Sequence, residues 1–346
     1  MSVSVVICCH NSASRLAATL LHLRRQTGVG VPWEVVIVDN ASTDGTAETA
    51  IACWRGDPAP LRIVRELQLG LGIARMTGLR EARYEIVSFV DDDNWVSHDW
   101  VTNVDLIMKE NELLGAVGGL IAPVFEKPPP PWFDRFKVLY AVVTETEPPR
   151  PPLCLCGAGL NIRRTAWQEL VAGGFRPLIT GRVGNNVCSG EDSELTHALR
   201  LAGWQLAIDN RLRIQHWIRA ERLSWSYLRQ RAYESERSEV LLIPYLQLDP
   251  NPDWKQRLRR RWWWTFGVEA MRLFTSRAYW MQSGEGDRAV IASDMKLGTL
   301  IGLLGTRGAW SAAQRNLLKA SWRRRAPGRP QSLPAPAGFT TSKSDI

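Results

Sequence analysis

Strand and helix signals alternate through the first 120 residues of the chain. Residues 3–9 form a continuous apolar, largely β-branched run, which is typical of a strand buried on both faces. Three further strand-like runs, at 34–38, 61–65 and 85–90, are separated by stretches with helical spacing of leucines or alanines. This alternation predicts an α/β fold that is Rossmann-like, with a mostly parallel sheet flanked by helices.

Polar clusters follow three of these strands. They occupy residues 9–12, 39–44 and 91–94. Because ligands of parallel α/β sheets bind beyond the carboxyl ends of the strands, we expect the three clusters to converge on one ligand site.

The cluster after the fourth strand contains three consecutive carboxylates, Asp91, Asp92 and Asp93. Like charges this close repel one another, and a divalent cation relieves that cost. Mg²⁺ and Mn²⁺ prefer oxygen ligands and are typically held by one or two carboxylates together with substrate phosphates. The alternative is a solvated turn, but the position at the end of a buried strand favours a metal site.

Other candidate residues each have a structural alternative. Glu191 and Asp192 begin a predicted helix, where an acid can act as a general base or simply stabilise the helix dipole. Asp39 can bind a base or ribose, or cap the next helix. Arg75 is a candidate partner for a diphosphate or an ordinary surface arginine. His216 follows a late strand and is a candidate metal ligand or a structural histidine.

The chain divides into three parts by its amino-acid composition and its pattern of strand and helix signals. Residues 1–220 carry the strand and helix alternation, 221–325 are a helical region rich in Arg and Trp, and 326–346 are predicted to be a disordered tail. Nine of the 20 prolines fall within 123–152, which predicts a long irregular connection. The loops at 126–152 and 181–190 are candidates for contact with a second substrate and for closure over the site.

Amino-acid composition limits the choice of cellular compartment and of binding partners. The six cysteines have neither zinc-knuckle spacing nor a disulfide framework, so we expect reduced thiols in a cytoplasmic protein. We also expect no signal peptide and no transmembrane helix, since the longest C-terminal apolar run, 297–304, is too short. The formal charge of +8 and the Arg/Trp segment 257–264 leave three interpretations of the C-terminal helices: ordinary packing, peripheral membrane contact, and nucleic-acid binding, which is the least favoured.

In this order and spacing, the motifs resemble the family 2 glycosyltransferases of the GT-A fold. The resemblance covers residues 3–220 and rests on the segments 3–11, 34–46, 69–78, 89–94 and 190–192. Within that family the chain is similar to hormogonium-polysaccharide-type transferases, through residues 91–95 and 223–228.

The resemblance implies a role for each matching residue. A nucleotide-sugar pocket would be lined by Cys9, Asn11, Asp39, Arg75, Asp91 and Asp92. A metal site would be formed by Asp93, Asp91 and His216, with Asp93 as the principal ligand. Asp192 would be the catalytic base, and Glu191 would support the acceptor pocket. Cys9 departs from the Thr or Ser that is common at its position.

The implied reaction moves a sugar from a nucleotide-diphospho sugar to a hydroxyl of a saccharide or lipid-linked acceptor, in polysaccharide biosynthesis. It would depend on Mn²⁺ or Mg²⁺ and invert the anomeric configuration in one displacement, and the habit of the family favours UDP as the carrier. A nucleotidyltransferase and a non-catalytic sugar- or RNA-binding module remain as alternatives. The second pair of acids, Glu191 and Asp192, favours sugar transfer.

Overall fold

The computed structural model describes residues 1–55, 58–145, 154–179, 190–246, 261–275 and 284–323. Its strands are β1 (Val3–Cys9), β2 (Trp33–Asn40), β3 (Leu61–Glu66), β4 (Ile86–Phe89), β5 (Asn94–Val96), β6 (Leu114–Phe125), β7 (Asn161–Arg163) and β8 (Gln205–Ile218).

Helices cover both faces of the sheet and form the C-terminal region. They are α1 (Leu16–Arg24), α2 (Thr46–Cys53), α3 (Leu71–Glu81), α4 (Trp100–Glu110), α5 (Phe133–Phe136), α6 (Arg164–Ala172), α7 (Glu191–Leu201), α8 (Trp225–Glu239), α9 (Ile243–Leu246), α10 (Trp262–Phe274) and α11 (Arg288–Lys319). Short 3₁₀ turns lie at Lys137–Tyr140, Ala220–Leu223, Val240–Leu242 and Ser321–Arg323.

The described strands form one mixed sheet in the order β3-β2-β1-β4-β7-β6-β8-β5. Strands β3, β2, β1 and β4 run parallel, as the alternating signals predicted. Strand β7 is antiparallel to both neighbours, and β5 pairs antiparallel with β8 at the edge. The carboxyl ends of β1, β2 and β4 therefore meet at one edge of the sheet, followed by the three polar clusters.

The continuous apolar run of β1 is explained by cores on both faces of the sheet. Val5 and Ile7 pack into a core with residues of α1 and α4, whereas Val6 packs into a second core with residues of α3, α6 and α7. Alternate residues of a strand point to opposite faces, so every residue of β1 must be apolar or small.

Helices α8 and α11 pack closely because two glycines bring their backbones together. A side chain at Gly298 would collide with the carbonyl of Tyr233, and one at Gly302 with the carbonyl of Arg237. An ion pair between Arg229 and Asp294, 2.7 Å long, joins the same two helices. This packing fixes α8 against the rest of the fold.

One helix among the described residues has the length and composition to cross a membrane. This candidate span is residues 288–308, within α11. It includes charged residues, so the sequence criterion of an uninterrupted apolar run did not identify it. One third of its most apolar stretch is buried in the fold, through the packing against α8, so this helix is weak evidence for a membrane span.

The proline-rich connection is more ordered than predicted over its first part. Strand β6 extends to Phe125, and α5 follows at once after the prolines. Trp132, which follows the prolines, is 5% exposed and packs against Phe136 and Trp225. Residues 146–152, the loop at 181–189 and the tail at 326–346 lie outside the described residues.

Candidate functional site

A pocket of about 380 Å³ opens at the edge of the sheet where β1 and β4 end. The start of α7, the connection between β8 and α8, and the segment 139–141 complete its walls. Ten charged side chains line it, five acidic and five basic: Asp91, Asp92, Asp93, Glu191, Asp192, Arg15, Arg75, Arg219, Arg222 and Arg231. Acids distant in sequence thus share one cavity. Of the three clusters at strand ends, 91–94 supplies three lining residues, 9–12 supplies Cys9 and His10, and 39–44 supplies only Asn40.

Each carboxylate of the 91–93 run faces a different arginine. Arg15 holds Asp92 through two contacts of 2.9 and 2.6 Å, and Ser12 donates a further hydrogen bond to the same group. Asp91 lies 3.4 Å from Arg75, and Asp93 is close to Arg222. Burial and the neighbouring Asp93 raise the pKa of Asp92, while Arg15 opposes the rise. Guanidinium groups therefore supply the charge compensation that the sequence led us to expect from a cation.

Asp93 and His216 face one another across the pocket. Oδ2 of Asp93 lies 3.9 Å from Nε2 of His216. Nδ1 of His216 is 3.1 Å from the carbonyl oxygen of Tyr140. A carbonyl only accepts hydrogen bonds, so Nδ1 carries a proton, and in the neutral ring the lone pair is on Nε2, the nitrogen nearer Asp93. A hydrogen bond of this kind is what orients a metal-binding histidine.

This pair fits a divalent cation that is completed by substrate oxygens. No cluster of three or more metal-binding side chains occurs among the described residues. One or two side chains can hold Mg²⁺ or Mn²⁺ when substrate phosphates supply further oxygens. Asp91, included in the predicted metal set, is turned towards Arg75 and does not join Asp93 and His216.

Arg75 is the centre of a buried ion-pair network. Its guanidinium lies 2.7 Å from Glu191 and 3.4 Å from Asp91, and the residue is 7% exposed. A side chain at Gly157 would collide with this guanidinium, so the glycine permits the arrangement. Burial raises the pKa of Glu191 to about 6, although Arg75 acts in the opposite direction. Glu191 is therefore engaged by Arg75 rather than free in the pocket.

Asp192, at the start of α7, accepts hydrogen bonds from two backbone N–H groups. The N–H of Gly157 donates to its Oδ2 at 2.5 Å, and the N–H of Ser193 donates to its Oδ1 at 2.7 Å. These contacts fix the orientation of the carboxylate while the residue lines the cavity. A carboxylate so placed can accept a proton from a hydroxyl bound in the pocket.

Asn11 and Asp39, which were predicted to line the nucleotide pocket, instead make hydrogen bonds within the loops that follow β1 and β2. Asn11 accepts a hydrogen bond from the N–H of Thr43 at 2.9 Å, and Asp39 accepts one from the N–H of Ser42 at 3.2 Å. Asp39 is 5% exposed, and neither residue lines the pocket, although their neighbours His10 and Asn40 do. The contact lies in the turn that follows β2. The N-cap of α2 is Gly45 and has no side-chain hydrogen bond, so Asp39 does not cap that helix.

Cys9 lies in the pocket wall beside Cys8. Burial raises the pKa of its thiol well above the ordinary range, so Cys9 is a neutral, poorly polar wall residue. The five cysteines within the described residues are free thiols, and Cys188 lies outside them.

Most of the basic residues of the pocket were not predicted from the sequence. Arg15, Arg219, Arg222 and Arg231 line the cavity, together with Tyr140 and Tyr227. The Nε of Arg219 is buried and has no hydrogen-bond partner within the described part of the chain. The repeated arginines after β8 could have indicated these pocket residues. They did not stand out because the whole chain is rich in basic residues.

Comparison with known proteins relates the first half of the chain to a family. Residues 4–164 match the model described as "Glycosyl transferase family 2". The chain is 29% identical over 133 residues to the glycosyltransferase AglE of Haloferax volcanii, which is 36% of this chain and 44% of that protein. A further relative, from Bacillus subtilis, is matched over 28% of its length. The chain thus spans less than half of these relatives.

The fold is that of GT-A glycosyltransferases. The structure of Staphylococcus aureus TarS residues 1–349 in complex with UDP-GlcNAc aligns with a TM-score of 0.51 at 16% identity, covering 89% of this chain and 92% of that one. The mannosyltransferase PcManGT from Pyrobaculum calidifontis in complex with GDP-Man and Mn²⁺ aligns with a TM-score of 0.50 at 19% identity, covering 90% and 75%.

Proposed function

Because residues 4–164 match the model of glycosyltransferase family 2, we propose that this chain transfers a sugar from a nucleotide-diphospho sugar to an acceptor hydroxyl. One observation carries the proposal: Asp93 and Asp192, almost a hundred positions apart, line the same pocket. The first can hold the cation of the donor diphosphate, and the second can accept the proton of an incoming alcohol.

The donor side of the pocket is proposed to bind the nucleoside diphosphate. Asp93 and His216 would hold Mn²⁺ or Mg²⁺, which when bound offsets the charge that develops on the leaving diphosphate. Arg75, Arg219 and Arg222 add fixed positive charge to the same cavity. Arginine suits this task because its planar fork pairs with two phosphate oxygens at once. Solved structures of this fold contain UDP-GlcNAc and GDP-Man, and we propose UDP as the carrier here.

The acceptor side is proposed to centre on Asp192. Its carboxylate takes the proton from the acceptor hydroxyl as the oxygen attacks the anomeric carbon. The bond from that carbon to the diphosphate oxygen breaks, and its electron pair leaves with the diphosphate. A single displacement from the opposite face inverts the anomeric configuration, so no side chain needs to form a covalent intermediate.

The proposed catalytic unit is residues 1–220 together with the first turns of the helical region 221–325. Arg222, Tyr227 and Arg231, which lie beyond residue 220, line the pocket. The helical region therefore contributes to the site in addition to packing against the α/β part.

The acceptor is proposed to be a saccharide or a lipid-linked saccharide used in polysaccharide biosynthesis, reached from the cytoplasmic face of a membrane. Four large apolar side chains of α10 support peripheral contact, since they are 38% to 73% exposed: Trp263, Trp264, Met271 and Phe274. Arg261 and Arg272 stand beside them, which suits anionic headgroups. A chain acting in this way needs no nucleic-acid partner.

A donor-hydrolysis screen tests the proposed function. The full chain is incubated with UDP-, GDP- and dTDP-sugars, with Mn²⁺, with Mg²⁺ or with EDTA, and the products are separated. We expect release of a nucleoside diphosphate and free sugar from one donor class, and loss of that release with EDTA. Release of pyrophosphate would identify a nucleotidyltransferase instead, and absence of binding to every nucleotide would overturn the proposal.

A further inference from the structure

One oxygen of Asp93 has two competing neighbours. Oδ2 lies 3.2 Å from Nη1 of Arg222 and 3.9 Å from Nε2 of His216. All three side chains are largely buried, with exposed fractions of 8% for Asp93, 14% for Arg222 and 12% for His216. The oxygen best placed to bind a cation together with His216 is therefore already paired with a guanidinium.

Arg222 and a divalent cation cannot share this oxygen without strong repulsion. Both carry positive charge, and water screens their interaction poorly at side chains this buried. A cation that binds Asp93 and His216 must therefore displace the guanidinium. Since the displaced group is itself buried, it needs a new anionic partner within the pocket.

The backbone of Arg222 is anchored while its side chain is long. The hydroxyl of Tyr140 donates to the carbonyl oxygen of Arg222 at 2.9 Å, and the carbonyl of Tyr140 accepts from His216. Tyr140 thus ties the two neighbours of Asp93 to one residue. The guanidinium can turn away from Asp93 while the Cα stays in place, and the nearby Arg219 and Arg231 mark the same wall as suited to an anion.

We propose that Arg222 is a positioning residue that exchanges partners, from Asp93 in the empty site to the diphosphate of the bound nucleotide, and thereby makes metal binding depend on the nucleotide. This inference rests on the proposed function. In the empty site Arg222 competes with the cation for Asp93, so free metal binds weakly. A nucleoside diphosphate draws the guanidinium away and supplies further oxygen ligands, so metal and nucleotide strengthen one another's binding.

The test measures Mn²⁺ binding to the full chain, by the electron paramagnetic resonance signal of free Mn²⁺, without nucleotide and with UDP, GDP or dTDP. For the wild type we expect weak binding of Mn²⁺ alone that tightens at least tenfold with the preferred nucleotide. For Arg222→Gln we expect Mn²⁺ alone to bind three- to tenfold more tightly than in the wild type, and nucleotide binding at saturating Mn²⁺ to weaken at least tenfold. The factor by which each ligand tightens the binding of the other should therefore fall towards one in Arg222→Gln.

Matched variants separate charge from geometry. Arg222→Lys keeps the positive charge but loses the planar fork, so Mn²⁺ alone should bind as in the wild type while the nucleotide binds more weakly. Arg222→Met replaces Arg222→Gln if the latter does not fold, as judged by thermal unfolding, and the same result is expected. Arg211→Gln removes a surface arginine that pairs with Glu110 and Asp209, and should change neither affinity.

The outcomes distinguish this inference from the proposed function. Suppose that the wild type binds Mn²⁺ and a nucleoside diphosphate, but that Arg222→Gln binds Mn²⁺ alone no more tightly than the wild type. That result overturns the exchange of partners and leaves the proposed function standing. A wild type that binds no nucleotide diphosphate overturns both.

Discussion

The carboxylate of Asp192 is oriented by the backbone N–H of Gly157, which donates to its Oδ2 over 2.5 Å. The contact joins α7 to the segment that precedes β7, two parts of the chain that are far apart in sequence. The acid is thus fixed by main-chain geometry, and it does not depend on a neighbouring acidic or basic side chain for its orientation.

Asp192→Asn should abolish sugar transfer while leaving donor binding nearly intact. The side chain keeps its size, and the amide oxygen can still accept from Gly157, although the contact with the N–H of Ser193 is lost; the amide can no longer take a proton. We expect the turnover number to fall by about 10² to 10⁴ and the Kd for the nucleotide to change by less than about threefold. Rate assays and calorimetric titration measure the two quantities. A large loss of nucleotide affinity would place Asp192 in the donor site instead.

His216→Phe should weaken metal-dependent nucleotide binding. The ring volume is preserved, but the lone pair that faces Asp93 is lost, and we expect the Kd for Mn²⁺ in the presence of UDP to rise by about 10- to 100-fold. His98→Asn, which alters an exposed histidine away from the pocket, is the control and should behave as the wild type. Equal affinities in the two variants would remove His216 from the metal site.

Gly157→Ala should damage the site through Arg75. The added methyl group meets the buried guanidinium, which must shift away from Glu191 and Asp91. We expect a loss of about 1–3 kcal/mol in the free energy of unfolding, together with weaker donor binding. Gly30→Ala is the matched control because nothing lies within 4 Å of its added carbon. Wild-type stability and binding in Gly157→Ala would show that Arg75 has room to move.

His197 should make stability depend on pH between about 4 and 6.5. Burial, with a contribution from Arg200, lowers the pKa of His197 to about 4. Between these values the unfolded chain binds a proton that the folded chain does not, so the free energy of unfolding falls as the pH falls through this window. The loss approaches about 3 kcal/mol below pH 4, at 1.36 kcal/mol for each unit of pKa.

Thermal unfolding across this range measures the effect. His197→Phe removes the titrating group and should flatten the profile relative to the wild type, whereas His98→Asn should leave its slope unchanged. A profile equally steep in His197→Phe would assign the pH dependence to other groups.

Replacing Trp263 and Trp264 together by serine should reduce binding to vesicles that contain anionic lipids. Both side chains are exposed on α10, and burial of two indole rings in a headgroup layer accounts for an affinity change of at least about tenfold. Sedimentation with vesicles measures the bound fraction. Leu67→Ser alters an apolar side chain on the α/β part that is even more exposed, and serves as the control. Undiminished sedimentation of the double variant would exclude this face as the docking surface.

Local patterns were sufficient to predict the parallel strands β1 to β4, but not β5, β6 and β7 or the antiparallel pairings that they make. The apolar runs of β1, β2 and β4 and the polar residues that follow them depend only on neighbours in sequence, and the predicted strands appear within a few residues of their expected bounds. The rule for carboxyl ends of strands concerns the residues that follow β1, β2 and β4. That Glu191 and Asp192, which begin α7, lie in the same pocket as Asp91–Asp93 was expected from the resemblance to a family.

Side-chain pairing could not be predicted in the same way. The hydroxyl of Ser12 donates to Asp92, and the predicted pocket residues Asn11 and Asp39 make hydrogen bonds within the loops. Which arginine faces which carboxylate depends on contacts between residues 77 to 129 positions apart, such as Arg15 with Asp92 and Arg222 with Asp93. No local spacing encodes contacts at that distance.

The glycine pair that lets α11 rest directly on the backbone of α8 has a consequence for how such chains can be recombined. Tyr227 and Arg231 reach the cavity only because α8 is seated there, and α8 is seated by residues some seventy positions later, at Gly298 and Gly302. A hybrid enzyme that takes its first half from one homologue and its last helices from another would inherit a mismatched wall. The two helices are therefore best exchanged as a single cassette.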